Sequence, residues 1–275
     1  MYTRQNQLAA FERLLDIMDE LREKCPWDRK QTMESLRNLT VEEVYELGDA
    51  ILDKNTPEIK KELGDVLLHI VFYAKIGSET KDFDIADVIN ALCRKLIDRH
   101  PHIYGDAEAK DEQQVKENWE QLKLKEGNTS VLQGVPKSLP ALIKASRIQD
   151  KVAGVGFDWE EPAQVLGKVK EELEELQEEV AKSKIDNIEG EFGDVLFSMI
   201  NYARFLKIDS ETALERTNKK FISRFQYLEE KAKEHDLQLS DMSLSEMDVF
   251  WNEAKLLEKN QAVEVKTIFN SNYFF

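Results

Sequence analysis

The chain has 275 residues, a formal net charge of −16 and 41% hydrophobic residues. This hydrophobic content is typical of a globular protein rather than a disordered one, and the length is sufficient for two domains with their own cores. The negative charge argues against a nucleic-acid polymer as partner, because phosphodiester backbones are bound by basic surfaces. A free nucleotide is not excluded, because acidic sites can bind phosphates through metal ions.

No segment approaches the roughly 18 apolar residues that a membrane-spanning helix requires. Residues 2–23 are predicted to form an amphipathic helix rather than a signal peptide. The two cysteines, Cys25 and Cys93, lie far apart and lack the spacing of a metal site. We therefore expect reduced thiols, a cytoplasmic location and no membrane partner.

The first half is predicted to be helical throughout. Thr40 is predicted to cap a helix over residues 41–53, with Glu43 three residues later as a capping-box partner or, alternatively, a metal ligand. Another helix is predicted over residues 84–99, stopped by Pro101.

The middle and second half continue this pattern after an interruption. A short helix is predicted over residues 111–126, with Trp119 on it. Residues 127–139 contain glycine, proline and serine without helical periodicity and are predicted to be a linker. Residues 260–275 show no helical period and are left unassigned. The second-half helices are predicted at 161–182, 185–206, 209–234 and 243–259.

Two pairs of carboxylates dominate the second half. Glu172 and Glu175 are three residues apart, as are Glu191 and Asp194, so each pair shares one helix face. Antiparallel packing of the two helices would bring all four together. Four carboxylates on a half-buried seam cannot all remain ionised without cations, and Mg²⁺ is the usual oxygen-bound ion. The alternative is an ordinary solvated, glutamate-rich surface.

The first half repeats this pattern. Each of its carboxylates lies 129 positions before its counterpart, as 43 does before 172. Gly64 and Gly193 also correspond, and we expect close helix approach at both. His69 corresponds to Ser198, so we predict a packed core histidine rather than a ligand. The second candidate metal site comprises Glu43, Glu46, Glu62 and Asp65.

A repeat of this length indicates a duplicated domain rather than a solenoid. A lysine–arginine pair four residues apart follows each carboxylate set, Lys95 with Arg99 and Lys220 with Arg224. The predicted organisation is a first domain at 1–126, a linker at 127–139, a second domain at 140–259 and a tail at 260–275.

Several second-half residues are candidates for phosphate chemistry. Lys220 and Arg224 share a helix face suited to phosphates, and Lys168 lies near the carboxylates, although each could instead form a surface salt bridge. Trp251 could stack on a base or pack in the core. Glu175 is the candidate for orienting or deprotonating a water molecule.

The repeated Glu-Glu-x-x-Glu and Glu-x-Gly-Asp motifs, with CPWD early and VGFDW after the linker, resemble the MazG family of nucleoside triphosphate pyrophosphohydrolases. The resemblance extends to about residue 258. It implies an all-α fold of tandem MazG-like helical domains, which pair into dimers of the four-helix-bundle type. It further implies Mg²⁺-dependent hydrolysis of nucleoside triphosphates to monophosphate and pyrophosphate, with Mn²⁺ as a substitute ion, often in broad-specificity removal of unwanted nucleotides.

The resemblance also assigns residues, with the second domain as the catalytic one. The implied metal ligands are Glu172, Glu175, Glu191 and Asp194. The implied nucleotide contacts are Lys168, Glu171, Glu172, Asp194, Lys220, Arg224 and Trp251. The implied catalytic residues are Glu175, Glu172, Lys220 and Arg224.

The first domain keeps its carboxylates, but the proline-broken segment after Arg99 predicts weaker or absent turnover there. Two other interpretations remain open. A di-iron carboxylate bundle also places glutamates inside four helices, but it requires Glu-x-x-His, which neither pair contains. The other is a non-catalytic acidic helical protein, which either binds nucleotide or metal or is an interaction protein whose charges merely solvate its surface.

Overall fold

The structure is a computed structural model that describes residues 3–105, 114–115, 130–182 and 184–271, with side chains described as far as residue 259. Regular secondary structure in these ranges is helical, which confirms the all-α prediction. The chain divides into two compact units, Met1–Lys123 and Leu124–Phe275. No helix in the described ranges is both long and apolar enough to cross a membrane.

The first unit is built around a helical hairpin. Its described helices are α1 (Arg4–Lys24), α2 (Met33–Leu52), α3 (Thr56–Thr80), α4 (Ile85–Asp98) and α5 (Pro101–Tyr104). Helices α2 and α3 follow each other after a short turn and pack extensively, so they run antiparallel and form the hairpin. Helix α1 packs on α3, and the buried core comprises Met18, Leu36, Val71, Phe72 and Ile76.

The predicted start of α2 is wrong. The helix begins at Met33, and the side chains of Thr32 and Ser35 cap it reciprocally. Thr40 therefore lies inside the helix, where its hydroxyl donates a hydrogen bond to the carbonyl oxygen of Leu36 at 2.9 Å. Glu43 cannot form a capping box with a threonine in the helix interior.

The fourth helix ends slightly before its predicted boundary. Helix α4 stops at Asp98, and Pro101 occupies the first turn of the short helix α5. A proline fits that place because first-turn amides have no intrahelical partner. The predicted helix over 111–126, including Trp119, lies outside the described residues except for 114–115.

The second unit contains a corresponding hairpin. Its described helices are α6 (Ala141–Ala153), α7 (Pro162–Lys182), α8 (Ile185–Phe205), α9 (Ser210–Glu234) and α10 (Leu244–Ser271). Helices α7 and α8 form the hairpin and pack extensively, and near the turn Asn187 donates a hydrogen bond to Glu179 at 2.8 Å. Helix α6 contacts α8 where the buried Gln149 donates a hydrogen bond to the carbonyl oxygen of Phe197 at 2.8 Å.

The last helix is longer than predicted. Helix α10 continues to Ser271, past the end predicted at residue 259 and into the segment that the sequence left unassigned. The sequence QAVEVK after Asn260 contains no glycine or proline, and most of these residues tolerate a helix interior. The absence of an amphipathic period in this segment shows that it has no consistent apolar stripe, but it does not prevent a helix from forming.

Candidate active site

The α7–α8 hairpin brings three of the predicted carboxylates together. Glu172 and Glu175 lie one turn apart on α7, and Glu191 approaches from α8. Carboxylate oxygens of these three residues lie within 4.8 Å of one another, and Glu172 is only 7% exposed. Asp194, one turn after Glu191, is exposed and falls outside this group.

The electrostatics of this cluster favour a cation. Burial, followed by the negative charges of Glu172 and Glu191, raises the pKa of Glu175, and nearby Lys168 partly opposes this. The Lys168 ammonium lies 2.8 Å from Glu172 Oε1 and 2.7 Å from Glu171 Oε1. Hydrogen bonds to these two carboxylates raise the pKa of Lys168 above its ordinary value.

The first unit contains a second cluster of the same composition. Oxygens of Glu43, Glu46 and Glu62 lie within 4.8 Å of one another. Burial raises the pKa of Glu43, and the charge of Asp65, which is outside this group, adds to the effect together with the other two carboxylates. Glu62 is 3% exposed, and its Oε2 is buried without a hydrogen-bond partner among the described residues.

The two clusters differ in their cations. In the cluster of the first unit, Lys61 Nζ lies 2.8 Å from Glu62 Oε1. Applying the repeat spacing, Lys61 corresponds to Gly190, whereas Lys168 corresponds to Leu39, which packs against the hydrophobic core. The duplication thus preserves the carboxylates but not the lysine beside them, and the buried glutamate comes from a different helix of each hairpin.

The two glycines between these carboxylates have no close neighbour within their units. A methyl group built at Gly64 or Gly193 would meet no atom of another described element within 4 Å. The expectation of close helix packing at these positions is therefore wrong for each unit taken alone.

The candidate phosphate-binding residues form a second group on α9 and α10. The guanidinium of Arg224 lies 5.8 Å from the centre of the Trp251 ring and pairs with Glu258. Lys220 is exposed one turn earlier on α9. Trp251 also packs against Phe221, with ring centres 5.0 Å apart. Lys168 and Glu171 instead lie with the carboxylate cluster on α7.

In the second unit, sequence reasoning missed two arginine–carboxylate pairs. Arg204 on α8 binds both oxygens of Asp158, with Nη1 at 2.9 Å from Oδ2, and Arg224 on α9 binds Glu258 on α10. Asp158 stands in the VGFDW motif, but its partner is 46 residues away and no periodic signal links the two. The prediction that His69 belongs to the core is confirmed, since it is 7% exposed and hydrogen-bonded to Thr40 at 2.9 Å.

The carboxylates suit a hard divalent ion. Mg²⁺ prefers oxygen ligands, and both clusters offer only carboxylate oxygens. A buried, ionisable oxygen without a partner, such as Glu62 Oε2, is also what an ion would satisfy. Neither group of close oxygens in the described ranges includes a histidine, which a di-iron centre of the Glu-x-x-His type would use.

A family model described as the MazG nucleotide pyrophosphohydrolase domain matches residues 31–104 and again residues 160–228. The chain belongs to this family. Each match lies within one compact unit, so the tandem duplication of a MazG domain is confirmed. The MazG domains include both carboxylate clusters, and members of the family are hydrolases.

Similar proteins from bacteria extend over most of the chain. The nucleoside triphosphate pyrophosphohydrolase/pyrophosphatase MazG of Thermotoga maritima is 45% identical over 250 residues, covering 89% of this chain and 95% of that protein. The nucleoside triphosphate pyrophosphohydrolase of Escherichia coli K12 is 39% identical over 260 residues, covering 91% and 99%. The uncharacterized protein YabN of Bacillus subtilis is 48% identical over 255 residues, or 90% of this chain and 52% of YabN.

Proposed function

We propose that this MazG protein hydrolyses nucleoside triphosphates to the monophosphate and pyrophosphate in a Mg²⁺-dependent reaction, with Mn²⁺ as a substitute ion. The observation that supports this most directly is the convergence of Glu172, Glu175 and Glu191 beside Lys168. The names of the two full-length relatives point to the same reaction.

In this proposal, carboxylates of the second unit hold the metal. Glu172, Glu175, Glu191 and Asp194 are the ligands. When bound, Mg²⁺ would lower the pKa of a coordinated water and offset charge on the phosphates. Glu175 is the solvent-exposed member of the cluster, so it is placed to orient the attacking water and take its proton.

Basic and aromatic side chains hold the nucleotide. Lys168, Lys220 and Arg224 contact the phosphates, and Lys220 and Arg224 offset the negative charge that builds on the leaving pyrophosphate. Glu171, Trp251 and Asp194 complete the nucleotide contacts. Water attacks the α-phosphorus and the bond to the oxygen bridging the β-phosphorus breaks, so pyrophosphate leaves.

We also propose broad specificity for unwanted nucleotides, a cytoplasmic location and a homodimer. The dimer is supported by apolar side chains exposed next to the carboxylates, since large apolar patches of a single chain usually mark an interface. Leu173 is 40% exposed, Phe192 54% and Leu196 46%. A second copy of the hairpin would cover these residues and complete a four-helix bundle.

The function is tested by measuring pyrophosphate release from a panel of nucleoside triphosphates, with and without Mg²⁺. We expect Glu175→Gln to reduce Mg²⁺-dependent release at least about a hundredfold, because a proton acceptor is lost. Glu174→Gln is the matched control, since Glu174 is exposed on the same helix and lies outside the cluster.

Two outcomes would contradict the proposal. Release of orthophosphate instead of pyrophosphate would mean that the terminal bond is cut. If no nucleoside triphosphate is hydrolysed, but Mg²⁺ or nucleotide still raises the melting temperature, the chain is a non-catalytic binding protein.

A further inference from the structure

The guanidinium of Arg224 is held along one edge by Glu258. Its Nε lies 3.2 Å from Oε1 and 3.1 Å from Oε2, and its Nη2 lies 2.6 Å from Oε2. The pair is partly buried, with side-chain exposures of 21% for Arg224 and 33% for Glu258. Both residues are in helices, 34 positions apart, so the contact fastens α9 to α10.

This geometry leaves a defined part of the guanidinium available. Of the five N–H donors of an arginine, the carboxylate occupies those at Nε and on one side of Nη2. The remaining N–H groups are those on Nη1 and the second one on Nη2. They lie at the opposite end of the guanidinium and form a fork that matches two phosphate oxygens. Trp251 lies over one face of the group, with the arginine carbon 5.8 Å from its ring centre.

We propose that Glu258 is a positioning residue, which fixes Arg224 so that its Nη1–Nη2 end faces the phosphates of the nucleotide. Glu258 itself contacts no substrate. The inference rests on the proposed function, in which Arg224 binds a phosphate. A flexible arginine would lose side-chain entropy on binding each phosphate, whereas one held by a carboxylate and an indole has already lost it.

Glu258 also has an effect that opposes phosphate binding. The negative charge of Glu258 also repels phosphate, so its removal would strengthen binding if attraction outweighed orientation. An ordinary exposed salt bridge would contribute little to either the orientation of the arginine or the repulsion of the phosphate. We expect orientation to dominate, because Nε and Nη2 of Arg224 reach different oxygens of Glu258 and the guanidinium also lies 5.8 Å from the Trp251 ring centre.

The test compares Glu258→Gln with Glu253→Gln in the full chain, using Mg²⁺ and ATP. Glu253 lies on the same helix, and burial and a hydrogen bond to its carboxylate raise the pKa of Tyr227 on α9. The control therefore also removes a negative charge between α9 and α10 without touching Arg224. We expect Glu258→Gln to lower kcat/KM about tenfold. The KM rises because charge-assisted hydrogen bonds are lost, and kcat falls because Arg224 also offsets charge on the leaving pyrophosphate. Glu253→Gln should leave both constants near those of the wild type.

The pairing with Arg224 gives a second readout. Lysine cannot reproduce the fork of an arginine, so Arg224→Lys alone should also raise the KM. Adding Glu258→Gln to Arg224→Lys should then raise the KM no further, because the group to be positioned is gone. A full additional increase would overturn the proposal.

Other results would also overturn it. A lower KM in Glu258→Gln would show that the carboxylate competes with phosphate, and equal effects of Glu258→Gln and Glu253→Gln would show a merely structural contact. If the wild type releases no pyrophosphate, the proposed function fails together with the inference. If the wild type is active and Glu258→Gln behaves like it, only the inference fails.

Discussion

Thr40 provides one hydroxyl to several polar groups inside the first unit. It donates to the carbonyl oxygen of Leu36 and lies 2.9 Å from His69 Nδ1 and 2.7 Å from the Tyr73 hydroxyl. A hydroxyl has one proton and two lone pairs, so all three bonds coexist when His69 Nδ1 and Tyr73 act as donors. In the second unit, the repeat places Val169 and Ser198 at the positions of Thr40 and His69.

We predict that Thr40→Val lowers the free energy of unfolding by about 1–3 kcal/mol, because a buried histidine N–H and a tyrosine hydroxyl lose their acceptor. The measurement is urea denaturation. Thr217→Val is the matched control, since Thr217 makes the same hydroxyl-to-carbonyl bond, to Ala213 at 3.1 Å, on an exposed helix face. Equal effects of the two substitutions would show that the buried bonds to His69 and Tyr73 contribute nothing.

At the scale of elements, the segment before each hairpin is fastened differently. In the second unit Arg204, braced by Asn201, binds the carboxylate of Asp158 and ties the VGFDW loop to the end of α8. The repeat places Lys75 at the position of Arg204, but Lys75 pairs with Asp19 on α1 at 2.6 Å. Related sequences thus reach similar helical hairpins through different ion pairs.

We expect Asp158→Asn to lower the free energy of unfolding by about 1 kcal/mol, because Arg204 loses a charge-assisted bidentate partner that is only partly exposed. Glu178→Gln serves as control, since Glu178 is 72% exposed and lies 3.6 Å from Lys182. Thermal or urea denaturation measures both. If Asp158→Asn changes stability no more than Glu178→Gln, the pair does not fasten the loop.

At the scale of the whole molecule, the two units share carboxylates but differ around them. Lys168 beside Glu172 has only Leu39 as its counterpart, and that residue packs in the core. The basic pairs differ too, since Arg224 lies inside the long helix α9 whereas Arg99 follows the end of α4. In the proposed function Lys168 and Arg224 bind phosphate, so the first unit lacks a counterpart of Lys168 and holds Arg99 at a helix end rather than inside a helix.

We therefore predict that Glu46→Gln reduces pyrophosphate release much less than Glu175→Gln. The two residues occupy equivalent positions of the repeat, so the substitutions are chemically matched. The same Mg²⁺-dependent assay measures both, with melting temperatures recorded to exclude unfolding. Equal losses would show that both units turn over and would remove the asymmetry.

Much of the architecture was predictable from sequence because its signals are local. Helical periodicity marked the hairpins, and the 129-residue repeat marked the duplication. Sequence reasoning failed at two helix ends, where the local signal was ambiguous or missing. Thr40 satisfied the capping pattern, but Thr32 caps the helix earlier, and α10 continues through a stretch without amphipathic period.

By itself, the sequence determined the helical class, the tandem repeat and which carboxylates share a helix face. These features depend on residues close in the chain or on motifs that recur at one constant spacing. The tertiary structure decided the rest. It determined that Glu62 is the buried carboxylate of one cluster and Glu172 that of the other, and that Arg224 meets Glu258. Such contacts depend on how the helices pack against each other, because packing brings together side chains that are far apart in the chain. The spacing of residues within one helix does not specify these partners.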